Sequence, residues 1–223
     1  MRVELLSCTQ NADAICSAAG QSCYSEQSAH DIIVQGEDPG PVLRRIVGMG
    51  HHSVIEHAVF TFSVQEVSRA LTHQLVRHRI ASFSQQSQRY VSMSQASFVT
   101  PPSIAADGKA GKRYQELMQE IWGAYEELAE LVPKEDARYL LPNACHTNIV
   151  ITMNARELLH FFSLRCCNRA QWEIREMALR MMALCQEASP DIFREAGPPC
   201  VRGPCPEGKL SCGKPWKREK KLI

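Results

Sequence analysis

The sequence has little net charge and no long hydrophobic run, and each absence excludes a class of protein. The formal net charge is +1, so the chain lacks the basic excess with which proteins wrap duplex DNA. No stretch approaches the roughly 20 apolar residues that cross a bilayer. The opening MRVELLSCTQ has no long apolar stretch behind its single Arg, as a secretory signal would have. We therefore expect a soluble, cytoplasmic protein that binds neither membranes nor nucleic acid.

The composition is typical of a folded protein with reduced cysteines. A chain of 223 residues with 44% hydrophobic and 22% charged residues can bury a full core, as one large domain or two small ones. Ten cysteines could indicate secretion. The missing signal peptide, the size of the chain and the adjacent pair Cys166 and Cys167 favour free thiols instead.

Hydrophobic periodicity predicts a mixed α and β chain without an internal repeat. Strands are predicted over residues 2–6, 58–65 and 143–153, and helices over residues 41–49, 66–76, 112–132, 134–140 and 170–187. Asn154 and Glu157 have the spacing of a capping box and predict the start of a further helix. The Pro- and Gly-containing residues 92–112 are predicted to form a loop, and Trp172 is predicted to lie in the core.

The segment 77–89, RHRIASFSQQSQR, carries the strongest local signal. Three consecutive cations are followed by a fourth at Arg89, and Ser or Gln comes at nearly every second position between them. An Arg side chain offers a rigid fork of donors that matches phosphate oxygens two at a time. We interpret the segment as a local anion site, with a solvated basic turn as the alternative. Ser87 is interpreted as a phosphate ligand, because no acidic residue lies nearby in sequence to orient a base for a nucleophile.

Two other groups of residues resemble metal sites without matching their spacing. Three residues separate His52 from Glu56, whereas the zinc protease motifs require HExxH or HxxEH. Cys200, Cys205 and Cys212 could supply three thiolates to zinc, but their gaps do not match a paired CxxC arrangement. We predict no metal. For this tail, free thiols and a structural zinc remain the two alternatives.

Five blocks of the sequence, in order, resemble the sequence blocks of one enzyme family. RHRIASFSQQSQRY fits an Arg-His-Arg, seven residues, Ser signature. The other four blocks are HHSVIEH, RYLLP, NAR and the Arg165 that precedes RAQWEIR. Together they span about residues 42–180, and the family that they resemble is the flavin-dependent thymidylate synthases.

This resemblance implies a fold, an assembly and a reaction. The fold is expected to be α/β, of the α+β type, with a central, largely antiparallel sheet flanked by helices. Residues 1–197 would form the synthase domain and residues 198–223 a basic tail rich in Cys, Pro and Gly. Family members are homotetramers whose sites draw on several subunits. They convert deoxyuridine monophosphate (dUMP) to thymidylate (dTMP) without a cysteine nucleophile, taking carbon from methylenetetrahydrofolate and electrons from NADPH through bound FAD.

The resemblance also implies roles for individual residues. Arg165 is the catalytic candidate, since it would contact the uracil ring and favour loss of its N3 proton while keeping its own charge. The implied dUMP contacts are Gln74, Arg77, Gln85, Gln86, Ser87, Gln88, Arg89, Arg138 and Arg165. The implied FAD contacts are Ser53, Arg77, His78, Arg79, Gln85, Asn154, Arg156 and His160.

Three positions depart from the residues that are common in the family. Ser84 and Gln85 stand where Asn and Glu are common, which removes a carboxylate, and a Gln side chain cannot act as a base. His160 stands where Asn is common, and an imidazole reproduces only part of the hydrogen bonding of an amide. These departures leave the expected reaction unchanged and affect the expected proton transfers and flavin affinity.

The basic segment leaves one alternative function from another class. The chain could bind nucleotides or single-stranded nucleic acid, with Arg77, Arg79 and Arg89 on phosphates and Phe83 and Tyr90 stacking on bases. A flavin enzyme is yellow and bleaches under NADPH. A nucleic-acid binder is colourless and loses affinity steeply with salt.

Overall fold

The computed structural model describes residues 1–93 and 95–216. These residues include one four-stranded sheet. The strands are β1 (Arg2–Cys8), β2 (Val59–Ser68), β3 (Ala81–Gln85) and β4 (His146–Asn154). Their order across the sheet is β1-β2-β4-β3, and the sheet is open and antiparallel. The predicted mixed fold with a largely antiparallel sheet is confirmed.

Nine α-helices follow the strands or connect them in the described residues. They are α1 (Ala12–Ser22), α2 (Ala29–Gln35), α3 (Gly40–Gly48), α4 (Arg69–Leu75), α5 (Pro102–Ala105), α6 (Gly108–Leu131), α7 (Lys134–Ala137), α8 (Ala155–Arg165) and α9 (Trp172–Ala188). Short 3-10 helices lie at His52–His57, Arg138–Leu140, Pro199–Val201 and Gly208–Leu210. None of these described helices is long and apolar enough to cross a membrane.

Two strands run directly into helices because a capping residue stands at each junction. The Ser68 hydroxyl accepts from the Leu71 amide at 3.0 Å and starts α4. Asn154 Oδ1 accepts from the Glu157 amide at 2.9 Å and starts α8, as predicted. The helix predicted to begin at residue 66 begins three residues later, because β2 continues until Ser68 supplies the cap.

The described chain divides into two compact units. The first comprises Met1–Arg2, Val64–Arg77 and Phe83–Val150. Its core is built on the apolar stripe of α6, where Met118 and Trp122 are buried against Cys145. The indole nitrogen of Trp122 donates to the Met93 carbonyl oxygen at 2.9 Å, so this large side chain is buried with its polar group satisfied.

The second unit comprises Val3–Ser63, His78–Ser82 and the chain from residue 151. Its core contains the aromatic rings of Phe60, Phe161, Phe162 and Phe193, which meet edge to face with centroids 5.2 to 6.0 Å apart. These rings fix α8 against its neighbours, so the side chains at both ends of α8 are held by a close-packed core.

The tail is attached to the second unit by polar contacts. Nη1 of Arg169 donates to the Leu210 carbonyl oxygen at 2.6 Å, and Asn168 Nδ2 donates to the Lys214 carbonyl oxygen at 3.0 Å. The division of the chain into a synthase domain at 1–197 and a tail at 198–223 stays a prediction. Residues 217–223 of that tail lie outside the described residues.

Three differences from the predicted elements have physical causes. The stretch 92–112 is not wholly a loop, since it contains α5, and Asp107 Oδ1 caps α6 by accepting from the amides of Lys109 and Ala110, each at 2.9 Å. Trp172 is 39% exposed, so its predicted place in the core is wrong: it is the first residue of α9 and lies off the buried stripe. The helices α1 and α2 were not predicted, because the small residues of α1 and the seven-residue length of α2 give a weak periodic signal.

Candidate functional site

The basic segment is not a turn, because its centre forms strand β3. Gln85, at the end of β3, donates through Nε2 to the hydroxyls of Thr72 at 3.1 Å and Thr147 at 3.2 Å. These two bonds use both amide hydrogens and leave the Oε1 oxygen as an acceptor. A glutamate at this position could only accept from these hydroxyls, whereas Gln85 donates to both of them.

Arg69 is a candidate functional residue that the sequence did not reveal. Its Nη2 donates to the carbonyl oxygen of Gln86 at 2.7 Å, while its buried Nε has no hydrogen-bond partner among the described residues. Burial lowers the pKa of Arg69, and the charge of Arg138 adds to that shift. Two neighbouring guanidinium groups repel each other, and an anion placed near both relieves that repulsion.

The residues that follow β3 face the segment that carries Arg138. The Ser87 hydroxyl accepts from the Arg89 amide at 3.2 Å, and the guanidinium of Arg89 pairs with the Glu135 carboxylate at 3.1 Å. Nε of Arg138 donates to the Glu135 carbonyl oxygen at 3.1 Å. Glu135 therefore holds both arginines, and its exposed ion pair contributes little stability that an incoming phosphate would have to replace.

The first unit thus contains most of the residues expected to contact dUMP. Gln85 to Arg89 follow one another along the chain, and Gln88 Nε2 donates to the Cys145 sulfur at 3.4 Å. Gln74 lies on the last turn of α4, and the Arg77 amide donates to the Gln74 carbonyl oxygen at 3.4 Å just beyond that helix. Side chains of Arg77 and Arg89 are exposed to solvent, as ligand-binding cations should be.

The second unit contains most of the residues expected to contact FAD. A cavity of about 590 Å³ is lined by Asn154, Arg156 and His160. Its other lining residues are His52, Glu56, Ile80, Glu157, Leu159, Ser163 and Arg202. Nη1 of Arg156 donates to the Glu56 carboxylate at 2.5 Å. Because the Asn154 oxygen is used in capping α8, its amide nitrogen is the group that it can offer to a ligand.

Five of the eight expected FAD residues do not line this cavity: Ser53, Arg77, His78, Arg79 and Gln85. Ser53 lines a separate cavity of about 650 Å³, together with Tyr24, Met49 and His51. Arg79 is exposed and does not line the cavity of Asn154, although the next residue, Ile80, does. Asn154, Arg156 and His160 therefore line one cavity of the described chain, while Ser53 and Arg79 are not part of its lining.

His78 is buried between two charged groups of α8. Its Nδ1 lies 2.9 Å from Glu157 Oε1, and Nε of Arg165 donates to its Nε2 at 3.1 Å. Burial lowers the pKa of His78, the hydrogen bond to Glu157 opposes this shift, and the charge of Arg165 adds to it. We therefore treat His78 as neutral, with its proton on Nδ1, because Arg165 can only donate.

His78 and Glu157, together with His160, are the one group in the described chain whose ligand atoms come close enough to hold a metal. Atoms of His78, Glu157 and His160 lie within 4.8 Å of one another. Both ring nitrogens of His78 already have partners, and the Arg165 cation lies beside one of them. A divalent cation there would have to displace a guanidinium, so the geometry favours a hydrogen-bonded chain.

The tail cysteines do not join a ligand group in the residues that the structure describes. The Cys200 sulfur accepts from the Trp216 amide at 3.4 Å, and the Cys212 sulfur lies 3.9 Å from Asn168 Nδ2. Free thiols and a structural zinc therefore remain the two alternatives for the tail.

The residues around the 590 Å³ cavity fit a flavin in their chemistry. Ligand cavities commonly measure about 300 to 1,000 Å³ and combine apolar walls with a few placed polar groups. Here Ile80 and Leu159 supply apolar surface. Arg156 supplies a cation for a phosphate, and Asn154 supplies an amide donor for a ring or ribose oxygen.

Comparison with known proteins identifies the family of this chain. The family model described as "Thymidylate synthase complementing protein" matches residues 4–191. A Geobacter sulfurreducens protein is 48% identical over 219 residues, 96% of this chain and 94% of the relative. A Nitratidesulfovibrio vulgaris protein is 46% identical over 96% of this chain and 94% of its own length. A Pyrococcus abyssi protein is 45% identical over 94% of this chain and 91% of its own length. All three are named flavin-dependent thymidylate synthase.

Proposed function

Because the chain belongs to the flavin-dependent thymidylate synthases, we propose that it methylates dUMP with methylenetetrahydrofolate as carbon donor and NADPH as reductant. Thymidylate synthesis and the use of a flavin follow from the family itself. The observation that supports dUMP as the substrate is the cluster of Arg69, Arg138 and the residues 85–89 in one unit, while the carbon donor and the reductant are proposed from the family. Such a set of donors suits a nucleotide monophosphate.

The substrate phosphate is proposed to bind Ser87, Arg89 and Arg138. Charge-assisted hydrogen bonds from guanidinium groups to phosphate oxygens are about twice as strong as neutral ones. Glu135 holds the guanidinium of Arg89 and the Nε of Arg138 before the phosphate arrives. The side chains of Arg89 and Glu135 are both half exposed. A phosphate can therefore replace the Glu135 carboxylate at Arg89 at a small cost in free energy.

Arg165 is proposed to stabilise negative charge on the uracil ring. Burial lowers the pKa of Arg165, but a guanidinium starts so high that it stays charged at any working pH. A fixed cation in a partly buried position lowers the free energy of a developing anion more than it would in water. This role requires that the guanidinium be held in one orientation.

FAD, when bound, supplies hydride transfer, and this chain supplies its binding and orientation. We propose that Asn154, Arg156 and His160 hold it at the cavity of about 590 Å³. The remaining proposed contacts are Ser53, Arg77, Arg79, Gln85 and the backbone of His78, since both ring nitrogens of His78 are bonded to residues of α8. In the homotetramer that we propose for the cytoplasmic enzyme, residues that lie apart in one chain can serve sites to which other subunits contribute.

The buried thiols near these residues support a reaction without a cysteine nucleophile. Burial raises the pKa of Cys166 to about 12, and burial also raises the pKa of Cys145. A thiol attacks as its thiolate, and these two groups are protonated at neutral pH. Neither cysteine is therefore poised to attack the pyrimidine ring.

The test is formation of dTMP by the purified protein. We expect a yellow protein that bleaches under NADPH and makes dTMP only when FAD, NADPH, methylenetetrahydrofolate and dUMP are all present. Mass spectrometry of dTMP formed with labelled methylenetetrahydrofolate identifies the carbon donor. A colourless protein that makes no dTMP and binds single-stranded nucleic acid with steep salt dependence would contradict the proposal.

A further inference from the structure

We propose that Glu157 and His78 are positioning residues, which form a buried carboxylate–imidazole pair that orients the guanidinium of Arg165 toward the pyrimidine. This inference rests on the proposed function, because Arg165 is the group that would act on the substrate ring. Neither Glu157 nor His78 needs to touch the substrate in order to act in this way.

The chain of contacts connects the two ends of α8 through one side chain. Glu157 lies in the first turn of α8 and Arg165 is its last residue. The His78 ring lies between them, 2.9 Å from Glu157 Oε1 on one side and 3.1 Å from Arg165 Nε on the other. The backbone of α8 is itself rigid, so both outer partners are placed by one element.

The direction of each hydrogen bond follows from Arg165. A guanidinium can only donate, so Nε2 of His78 must accept and cannot carry a proton. The single proton of the neutral ring is then on Nδ1, where it points to the Glu157 carboxylate. Glu157 therefore selects the tautomer that leaves Nε2 able to accept.

The use of Glu157 departs from what its sequence position predicts. Three residues after the cap at Asn154, a Glu side chain ordinarily turns back to the backbone amide of the capping residue. Here the carboxylate bonds His78, and its side chain is only 7% exposed. A carboxylate is seldom buried without a partner that requires it, and His78 is that partner.

The ring of His78 is also fixed in its plane. Phe161 meets it edge to face with centroids 5.0 Å apart, and His160 lies at 5.8 Å. The ionisable groups that face His78 are Glu157, Arg165 and His160. Protonation of His78 would place an N–H against the Arg165 N–H, so this chain of contacts holds only while the ring is neutral.

The experiment compares four variants of the FAD-loaded enzyme. Glu157→Gln keeps the shape and removes the charge, His78→Phe removes the acceptor, and His78→Gln keeps a carbonyl that can accept from Arg165. The matched control is Glu173→Gln, since Glu173 is also a buried carboxylate in the first turn of a helix, α9. Steady-state turnover, FAD affinity and thermal melting are measured for each.

We expect kcat to fall about 10- to 100-fold in Glu157→Gln and His78→Phe, as for other residues that orient a functional group. His78→Gln should recover part of that loss, and Glu173→Gln should turn over like wild type. The acid limb of the kcat profile should move to lower pH in Glu157→Gln and disappear in His78→Gln. Equal losses in His78→Phe and His78→Gln, together with lower melting temperatures, would show a purely structural role.

A second measurement does not depend on turnover. In ¹⁵N-histidine NMR spectra, the signals absent from His78→Gln identify His78, and we expect them to show a neutral Nδ1–H ring at pH 7. An Nε2–H ring would overturn the positioning role even if the enzyme makes dTMP. Conversely, a neutral Nδ1–H ring in a protein that makes no dTMP would reject the proposed function and leave the contact established.

Discussion

The guanidinium of Arg69 donates a hydrogen bond of 2.7 Å to the carbonyl oxygen of Gln86. This bond connects the first residue of α4 to the segment that follows β3, where the proposed phosphate ligands begin. The contact leaves the buried Nε of Arg69 without a hydrogen-bond partner in the described chain. Arg69 thus supports the backbone of the proposed nucleotide site and has a donor left for a ligand.

Replacing Arg69 with Gln is expected to raise the KM for dUMP about 10-fold, with a smaller effect on kcat. A hydrogen bond to a charged group contributes about 1.5 to 3 kcal/mol, and the lower end of that range corresponds to a change of about 10-fold. Steady-state kinetics with varied dUMP measures it. Arg113→Gln is the control, because Arg113 pairs only with exposed Glu116 and Glu120 in the contacts that the structure gives. An unchanged KM in the Arg69 variant would remove this residue from the site.

Replacing Thr147 with Val is expected to destabilise the protein by about 1 kcal/mol, because a part-buried Gln85 amide hydrogen then loses its acceptor. Urea unfolding measures the free energy. Thr100→Val is the matched control, since Thr100 accepts from Gln115 at 3.3 Å on the surface. Similar free energies of unfolding for the two variants would mean that the hydrogen bond from Gln85 to Thr147 stabilises the fold no more than a surface hydrogen bond does.

Asn154 is expected to have two separable roles. Asn154→Asp keeps an oxygen that caps α8 and should change the free energy of unfolding little, while Asn154→Ala should cost about 1 kcal/mol. Both variants lose the amide donor and should bind FAD more weakly. Quenching of flavin fluorescence measures the Kd. Wild-type FAD affinity in Asn154→Asp would show that this amide does not contact the flavin.

Arg165→Lys is expected to keep the fold and to lose most turnover. A lysine keeps the positive charge but not the planar fork of donors that bonds His78 on one side and a ligand on the other. Arg180→Lys serves as the control, because Arg180 forms an exposed pair with Glu176 on α9. Wild-type kcat in the Arg165 variant, with an unchanged melting temperature, would refute its catalytic role.

The stability of the protein is expected to fall as the pH drops below about 6.5. The folded protein lowers the pKa of His78 below its ordinary value, so between the two pKa values the unfolded chain binds more protons and unfolding is favoured. The contribution of neutral His78 to the free energy of unfolding is fully present above the ordinary pKa of histidine. Urea unfolding at pH 7.5 and 5.5 measures it. His78→Gln should show a smaller loss on acidification, and an equal loss would assign the effect to other groups.

The sequence predicted the elements whose signals are local. The alternation around Phe60 and Phe62 marked β2, and the apolar stripe through Met118 and Trp122 marked α6. Asn154 was identified as a cap because capping depends on a residue type at one backbone position. Five blocks in order, among them the Arg-His-Arg segment, identified the family, because each is a compact pattern within one stretch of chain.

The sequence could not predict relationships between distant side chains. Arg69 carries no motif, and its importance appears only when Gln86 and Arg138 lie beside it. Trp172 looked like a core residue by its type, yet it lies on the exposed side of the first turn of α9. Such contacts depend on how separate segments pack, and residue type and periodicity alone do not contain that information.

Glu157 separates what the sequence determined from what only the tertiary structure decided. By itself, the sequence determined that a helix begins after Asn154 and that a Glu stands at the position of a capping box, since both depend on spacing along the chain. Only the tertiary structure decided that this carboxylate bonds His78, which is 79 positions away in the sequence. The physical reason is that a buried charge takes the partner that folding brings within reach, and the sequence does not show which partner that is.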